Sequence, residues 1–306
     1  MKISFEKEKK YTLFYVNLVL LQCLLWGISN PLAKMGLEVI SPFYCLALRY
    51  LIAFSLFLLF FGKRILTKIN KEYFIPCLII SIFTTISFNA SIICLMYTSA
   101  TNAGFLISTP ILFTPLFSLI ILKQRIDKKR LLPIISVTIG LYFLCNGNSG
   151  FSFGWGEALA LLSSISGACM LTFSSKYLQD LDSLLVSTIQ SGTTGLFTFI
   201  LALIFEDFPG FTGIPPLGWG VILYLGACCT FLAYIFQNTA LSHIPANYVA
   251  LAFCSEPIFT AIASYFLLGE TLTIKGFIGA ILIMLSIITA SVMPEEQAWK
   301  EKYQEG

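Results

Sequence analysis

The stretch YFIPCLIISIFTTISFNASIICLMYTSATNAGFLISTPILFTPLFSLIIL, residues 73–122, contains no charged side chain. About 20 apolar residues already span the hydrocarbon of a bilayer, and a soluble domain cannot hide a run of this length. The stretch reads as two membrane-spanning helices joined at a polar hinge, Thr98 to Asn102. Backbone groups in lipid must satisfy their own hydrogen bonds, so every span is expected to be a helix.

Outward from this stretch, charges punctuate similar runs. Tyr11 to Ala33 is a first span, and Val39 to Gly62 a second, interrupted only by Arg49. Leu131 to Gly156 holds a fifth that ends near Cys145, followed by a loop at Asn146 to Gly150. Ala158 to Ser175 and Ser183 to Phe205 are the sixth and seventh. Phe208 to Leu268 holds two more, split near His243-Ile244-Pro245, with Glu256 inside the ninth, and Gly276 to Pro294 is the tenth. The predicted fold is an all-α membrane protein of ten transmembrane helices. Of its 306 residues, 57% are hydrophobic and 11% charged, where soluble domains carry about 25% charged residues. Short connections leave no room for a soluble catalytic domain. The run after Lys7, Lys9 and Lys10 is too long for a cleaved signal sequence, and more spans follow it.

Lysine and arginine set the orientation. The N-terminus, the second connection (Lys63, Arg64, Lys68, Lys71) and the fourth (Lys123, Arg125, Lys128, Lys129, Arg130) are basic, whereas the first has only Lys34 and the third and fifth none. Both termini, residues 1–11 and 293–306, are therefore expected in the cytoplasm and the spans in the plasma (inner) membrane. A net charge of +3 does not suggest a nucleic-acid partner. The nine cysteines lack metal-ligand spacing, and no Walker loop or dinucleotide fingerprint is present, so neither metal nor cofactor is expected. Residues 150–154 match G-x-S-x-G, but within a Gly/Ser-rich connection between membrane helices, so no enzyme is inferred.

The chain also repeats itself. A shift of 147 residues lays Ser108-Thr109-Pro110-Ile111 on Ser255-Glu256-Pro257-Ile258, and Ala103 on Ala250. Two units of five spans each, residues 12–148 and 155–292, must then sit in opposite orientations. Such inverted repeats typify secondary transporters, which place the solute site near the midplane between the units.

Trp26-Gly27 with Asn30, Pro31 and Lys34 resembles the opening motif of the EamA-type drug/metabolite transporters. Ser41-Pro42 followed by Arg49-Tyr50-Leu51-Ile52-Ala53 is similar to that family's second-helix pattern. Ala240-Leu241, Ile244-Pro245-Ala246, Glu256-Pro257 and Leu267-Leu268-Gly269-Glu270 resemble the end of its second repeat. The resemblance covers roughly residues 12–292, and departs at Leu122-Lys123-Gln124, where the family usually has Gly-Glu. It implies ten helices with both termini inside and movement of small organic solutes, often efflux of amino acids or other metabolites.

Within the spans, Glu256 is the leading candidate, because intramembrane charge is costly and needs a reason. It can bind a substrate ammonium or exchange a proton, or bridge helices. Arg49 can attract a carboxylate or phosphate, or tie its helix to a neighbour. Lys34 can snorkel at the end of the first span or form a gate ion pair with an outer acid. These three are the coupling and gating candidates. Trp26 and Asn30 share a helix face with Lys34. Asn89 in the third span, and Tyr234, Gln237 and Asn238 in the eighth, are further candidates for substrate contact, with interhelical bonding as the alternative. His243, Glu157 and Glu270 fall at helix ends, where a solvated loop residue and capping charges are expected. Gly276, Gly279 and Ala280 suit close packing within a monomer or in a homodimer. A metabolite exporter is the leading functional expectation, with a proton as candidate coupling ion. An importer of a vitamin, nucleoside or amine, or a non-transporting membrane subunit, are the alternatives.

Overall fold

The computed structural model describes residues 2–122, 153–178, 180–207, 210, 213–244, 249 and 252–292, together with 132, 135–136, 139–140, 142–143, 146–147 and 150–151. Its helices are α1 (Lys2–Gly36), α2 (Pro42–Lys68), α3 (Phe74–Cys94), α4 (Ala100–Ile107) and α5 (Pro110–Leu122) in the first half. The second half contains α6 (Trp155–Tyr177), α7 (Ser183–Phe205), α8 (Pro216–Gly226), a π-helical segment (Ala227–Leu232), α9 (Ala233–Leu241), α10 (Glu256–Leu268) and α11 (Ile274–Val292). Among the described residues, seven stretches are long and apolar enough to cross a membrane: 13–36, 42–68, 71–94, 100–122, 155–177, 183–205 and 216–241. Glu256–Leu268 and Ile274–Ser286 are shorter apolar helices. The predicted fifth span falls mostly outside the described residues. The predicted loop after it contains a two-residue antiparallel pair, Asn146–Gly147 with Gly150–Phe151.

The distribution of polarity suits lipid as the solvent. Phe266, Ile274, Leu59 and Ile120 are exposed, while Gln22, Gln190, Gln237 and Asn238 are buried. Helix ends are fixed by local chemistry. Pro42 opens α2, where a missing N–H is harmless, and the free N–H groups of Phe43 and Tyr44 donate to the Glu206 carboxylate at 2.8 and 2.9 Å. Asp182 caps α7 through Leu184 and Leu185, and Gly269, at φ 65°, ends α10 in the left-handed conformation.

Helices of the two halves pack in pairs: α3 along α6, α2 along α7 and α1 along α10. Glycines allow the closest approaches. A Cβ on Gly27 would overlap Phe259 of α10, and one on Gly104 of α4 would lie 2.5 Å from Thr260 Cγ2. Thr260 is thus where α1, α4 and α10 converge.

Two helices break where the sequence predicts continuity. The fourth predicted span divides at Ser108–Thr109, between α4 and α5. Glu256 is the first residue of α10, directly after a 3-10 turn at Phe253–Ser255 that interrupts the α-helical pairing beyond Ala252. The 147-residue shift lays Ser108–Thr109 on Ser255–Glu256, so the two breaks overlap at Ser255. Pro110 and Pro257, each in the first turn after its break, have no N–H to continue the preceding helix.

Candidate functional site

Both breaks border one cavity. Ile107 and Pro110 line it from the first break, Phe253 and Glu256 from the second. It encloses about 580 Å3 of space not filled by atoms, including the part open to solvent. Trp26, Ser29 and Asn30 of α1, Arg49 of α2, Ser87 and Phe88 of α3, and Ser163 and Met170 of α6 complete most of the wall. The lining combines apolar walls with a few fixed polar groups, the usual form of a small-molecule site.

Glu256 is 4% exposed. Asn30 Nδ2 donates to its Oε1 at 3.4 Å and to Thr260 Oγ1 at 3.3 Å. The carboxylate is therefore held by a neutral amide from the other half of the chain. Thr260 lies one helical turn beyond Glu256, on the same face. It is a partner that sequence inspection passed over, because a lone Thr in an apolar run carries no signal.

Arg49, 5% exposed, is anchored by the π segment. Its Nε donates to Thr230 Oγ1 at 2.6 Å and its Nη2 to the Cys229 carbonyl at 3.1 Å. Trp26 Nε1 donates to that same carbonyl at 2.7 Å. A π turn shifts the backbone pairing by one residue and commonly marks functional sites. Here it presents one carbonyl to donors from both α1 and α2. Thr230 Oγ1 in turn donates to Leu225 O at 3.0 Å. The guanidinium carbon lies 5.1 Å from the Phe88 ring centre and 5.7 Å from that of Tyr50, within cation–π range.

The remaining candidates do not line the cavity, although Tyr234 packs edge-on against Phe88 and Gln237 Nε2 donates to Met170 Sδ at 3.5 Å, both behind its wall. Asn89 donates to Thr85 O at 2.7 Å and to Thr198 Oγ1 at 3.0 Å, joining α3 to α7. Tyr234 shares a hydroxyl–hydroxyl hydrogen bond of 2.7 Å with Tyr50. Gln237 accepts from Gln22 Nε2 at 2.8 Å. Asn238 donates to Ser187 Oγ at 2.8 Å and to Gln190 Oε1 at 3.2 Å. The structure thus gathers Trp26, Asn30, Arg49 and Glu256 around the cavity, and uses Asn89, Tyr234, Gln237 and Asn238 between helices.

Lys34 lies at the end of α1. Its Nζ donates to Thr98 O at 2.8 Å and pairs with Glu270 Oε1 at 3.3 Å. Glu270 also accepts from the N–H groups of Ala100 and Thr101, both at 2.9 Å, and from Thr101 Oγ1 at 2.8 Å, so it caps α4. Burial alone would raise this carboxyl, but these donors and Lys34 hold it below its ordinary value. Thr98 Oγ1 continues the cluster to Glu157 at 2.6 Å, and Glu157 caps α6 through Gly154 N–H. At the opposite end of α2, Arg64 and Lys68 both pair with Asp182. Burial opposes ionisation there too, yet the two cations and the Leu185 N–H hold the carboxyl down at about 2. His243, just beyond α9, is exposed and stacks on Tyr15 at 4.4 Å.

A sequence model of the EamA-like transporter family matches residues 13–146 and again 154–292. A protein of Archaeoglobus fulgidus named an uncharacterized transporter is 29% identical over 301 residues, covering 95% of this chain and 92% of its own. YyaM of Bacillus subtilis, also named an uncharacterized transporter, is 26% identical over 274 residues, covering 87% of this chain and 89% of its own. A solved crystal structure shares the fold, with a TM-score of 0.69 and 15% identity over 93% of this chain and 98% of its own. With both halves of its helical body matching the family pattern, the chain belongs to the EamA-like transporter family.

Proposed function

We propose that the protein is a secondary transporter that exports amino acids or related small metabolites by alternating access. In this reading, ten helices form two inverted five-helix units, residues 12–148 and 155–292, in the plasma membrane, with both termini cytoplasmic. The observation that carries it is the pair of helix breaks at repeat-related positions, Ser108–Thr109 and Phe253–Ser255, both bordering the cavity. Interrupted helices leave backbone groups unpaired, and a membrane protein tolerates that only where they are buried in protein or line a cavity. Transporters build their midplane sites from such helices.

Glu256 receives the solute ammonium or a proton, while Trp26 and Asn30 shape and orient the site. The Lys34–Glu270 pair is the outer gate. Asn89, Tyr234, Gln237 and Asn238 hold the surrounding helices in register. The driving force is a solute or proton gradient.

Counterflow in proteoliposomes tests this, using pooled amino acids, nucleosides, vitamins and quaternary amines. Exchange of an amine-bearing solute is expected, falling about tenfold or more in folded Glu256→Gln. Absence of exchange from every pool refutes transport by this chain. Unchanged exchange by Glu256→Gln across pH removes the carboxylate from the mechanism.

A further inference from the structure

The cavity wall carries one acidic and one basic side chain that do not meet. Arg49 and Glu256 are both more than nine-tenths buried and both line the same space. Neither belongs to an ion pair within 4 Å among the described residues. In a low-dielectric interior an acid and a base facing one cavity attract strongly when both are ionised. Here each is held back by neutral partners from elsewhere: Glu256 by Asn30, and Arg49 by Thr230 and the Cys229 carbonyl.

Two edges of the guanidinium are occupied by the π segment. Its Nη1 has no hydrogen-bond partner among the described residues. Arg49 thus faces the cavity as a cation that rests against the Phe88 and Tyr50 rings but has no carboxylate within 4 Å among the described residues. Oxygens of Thr and carbonyl groups accept its protons but do not neutralise its charge, and a buried charge without a counter-ion is costly.

We infer that Arg49 is the recognition site for the carboxylate of a zwitterionic solute whose ammonium group faces Glu256, and that Thr230 is the positioning residue that keeps Arg49 open to it. This rests on the amino-acid reading above and deepens it. The solute itself completes the ion pairs that the protein leaves unmade. A solute lacking either charge leaves one buried group unpaired, and sites of this kind reject such analogues strongly. A free guanidinium edge suits a carboxylate better than a lysine point charge does.

The test is inhibition of counterflow in proteoliposomes by leucine, methionine and phenylalanine, each against its amide and its decarboxylated amine. Wild type is expected to prefer the amino acids by about tenfold or more. Arg49→Lys and Thr230→Val are expected to narrow that preference to about threefold or less, while Thr230→Ser keeps it. A residue that only braces helices would slow all solutes alike and leave the ratio untouched. A wild-type ratio near one overturns the assignment of Arg49, even if Thr230→Val does not fold. A wild-type ratio retained in Thr230→Val overturns the role of Thr230. Exchange of nucleosides or vitamins but of no amino acid defeats the amino-acid reading itself, a separate and recognisable failure.

Discussion

Replacing Glu270 should loosen one end of the molecule by a predictable amount. Its two oxygens serve four donors: Lys34 Nζ and Ala100 N–H on Oε1, Thr101 N–H and Thr101 Oγ1 on Oε2. Capping a helix with a side-chain oxygen stabilises it by about 1 kcal/mol. A carboxylate at a helix N-terminus contributes up to about 1 kcal/mol more. Its side chain is 17% exposed and that of Lys34 31%, so solvent screens the ion pair to about 0.5 kcal/mol. Glu270→Ala should therefore destabilise by about 1.5–2.5 kcal/mol. Glu270→Gln keeps one acceptor and turns an amide donor towards the other donors, so about half of that loss is expected. Lys34→Met should lose the ion pair, about 0.5 kcal/mol, together with the hydrogen bond to Thr98 O, and a double-mutant cycle with Glu270→Ala should return about 0.5 kcal/mol as the coupling.

The pH dependence has a definite sign. The folded-state pKa lies below the ordinary 4.5, so the contribution is fully present above that value and disappears as pH falls through the folded-state pKa. The gap between wild type and Glu270→Ala should stay constant from about pH 8 to 5.5 and close in more acidic buffer. Reversible unfolding of the purified protein in mixed micelles measures all of these. A loss below about 0.5 kcal/mol for Glu270→Ala, or equal losses for Ala and Gln, would refute the reasoning.

Gly27→Ala should push α1 and α10 apart, because the new methyl overlaps Phe259 and lies 3.0 Å from Thr260 N. Overpacking of this kind costs about 1–3 kcal/mol, and separation would break the Asn30–Thr260 contact. A lower unfolding midpoint together with weaker solute binding is expected, and binding at wild-type strength would show that α1 tolerates the shift. Asp182→Asn should keep the cap on α7 and lose only the exposed pairs with Arg64 and Lys68, about 0.5–1 kcal/mol, whereas Asp182→Ala should lose about 2 kcal/mol. Because Asp182 is held near 2, below its ordinary 3.8, its pairs persist above that ordinary value and fade as pH falls towards 2. Equal losses for Asn and Ala, measured at pH 7, would show that the cap contributes nothing.

Spans were legible in the sequence because lipid enforces a simple rule of long apolar runs between charges. Ser183–Phe205 is a helix with the predicted bounds, and α6 extends the predicted sixth span by a few residues at each end. Glu270 and Glu157 could be read as end charges from their positions beside helix termini. The breaks were less legible. Pro110 and Pro257 were visible, but a proline in the first turn and one in the interior look alike in a continuous apolar run. The π segment left no mark in Ala227–Leu232, and the donors its Cys229 carbonyl receives, Trp26 and Arg49, come from distant parts of the chain. For the buried amides, composition placed them inside but could not choose their partners. Asn30 meets Glu256 across more than two hundred residues of chain, and Gln237 finds Gln22 rather than the cavity. Such pairings are set by which helices lie side by side, and local sequence does not encode that.

The convergence of α1, α4 and α10 on Thr260 bears on how this protein can change over evolution. Gly27, Gly104 and Thr260 fill one another's space, so enlarging any one displaces two helices at once. Ile107, only partly buried, instead borders empty volume, and its size can drift with less structural penalty. New solute preferences should therefore accumulate at that yielding position, while the three-helix junction stays frozen.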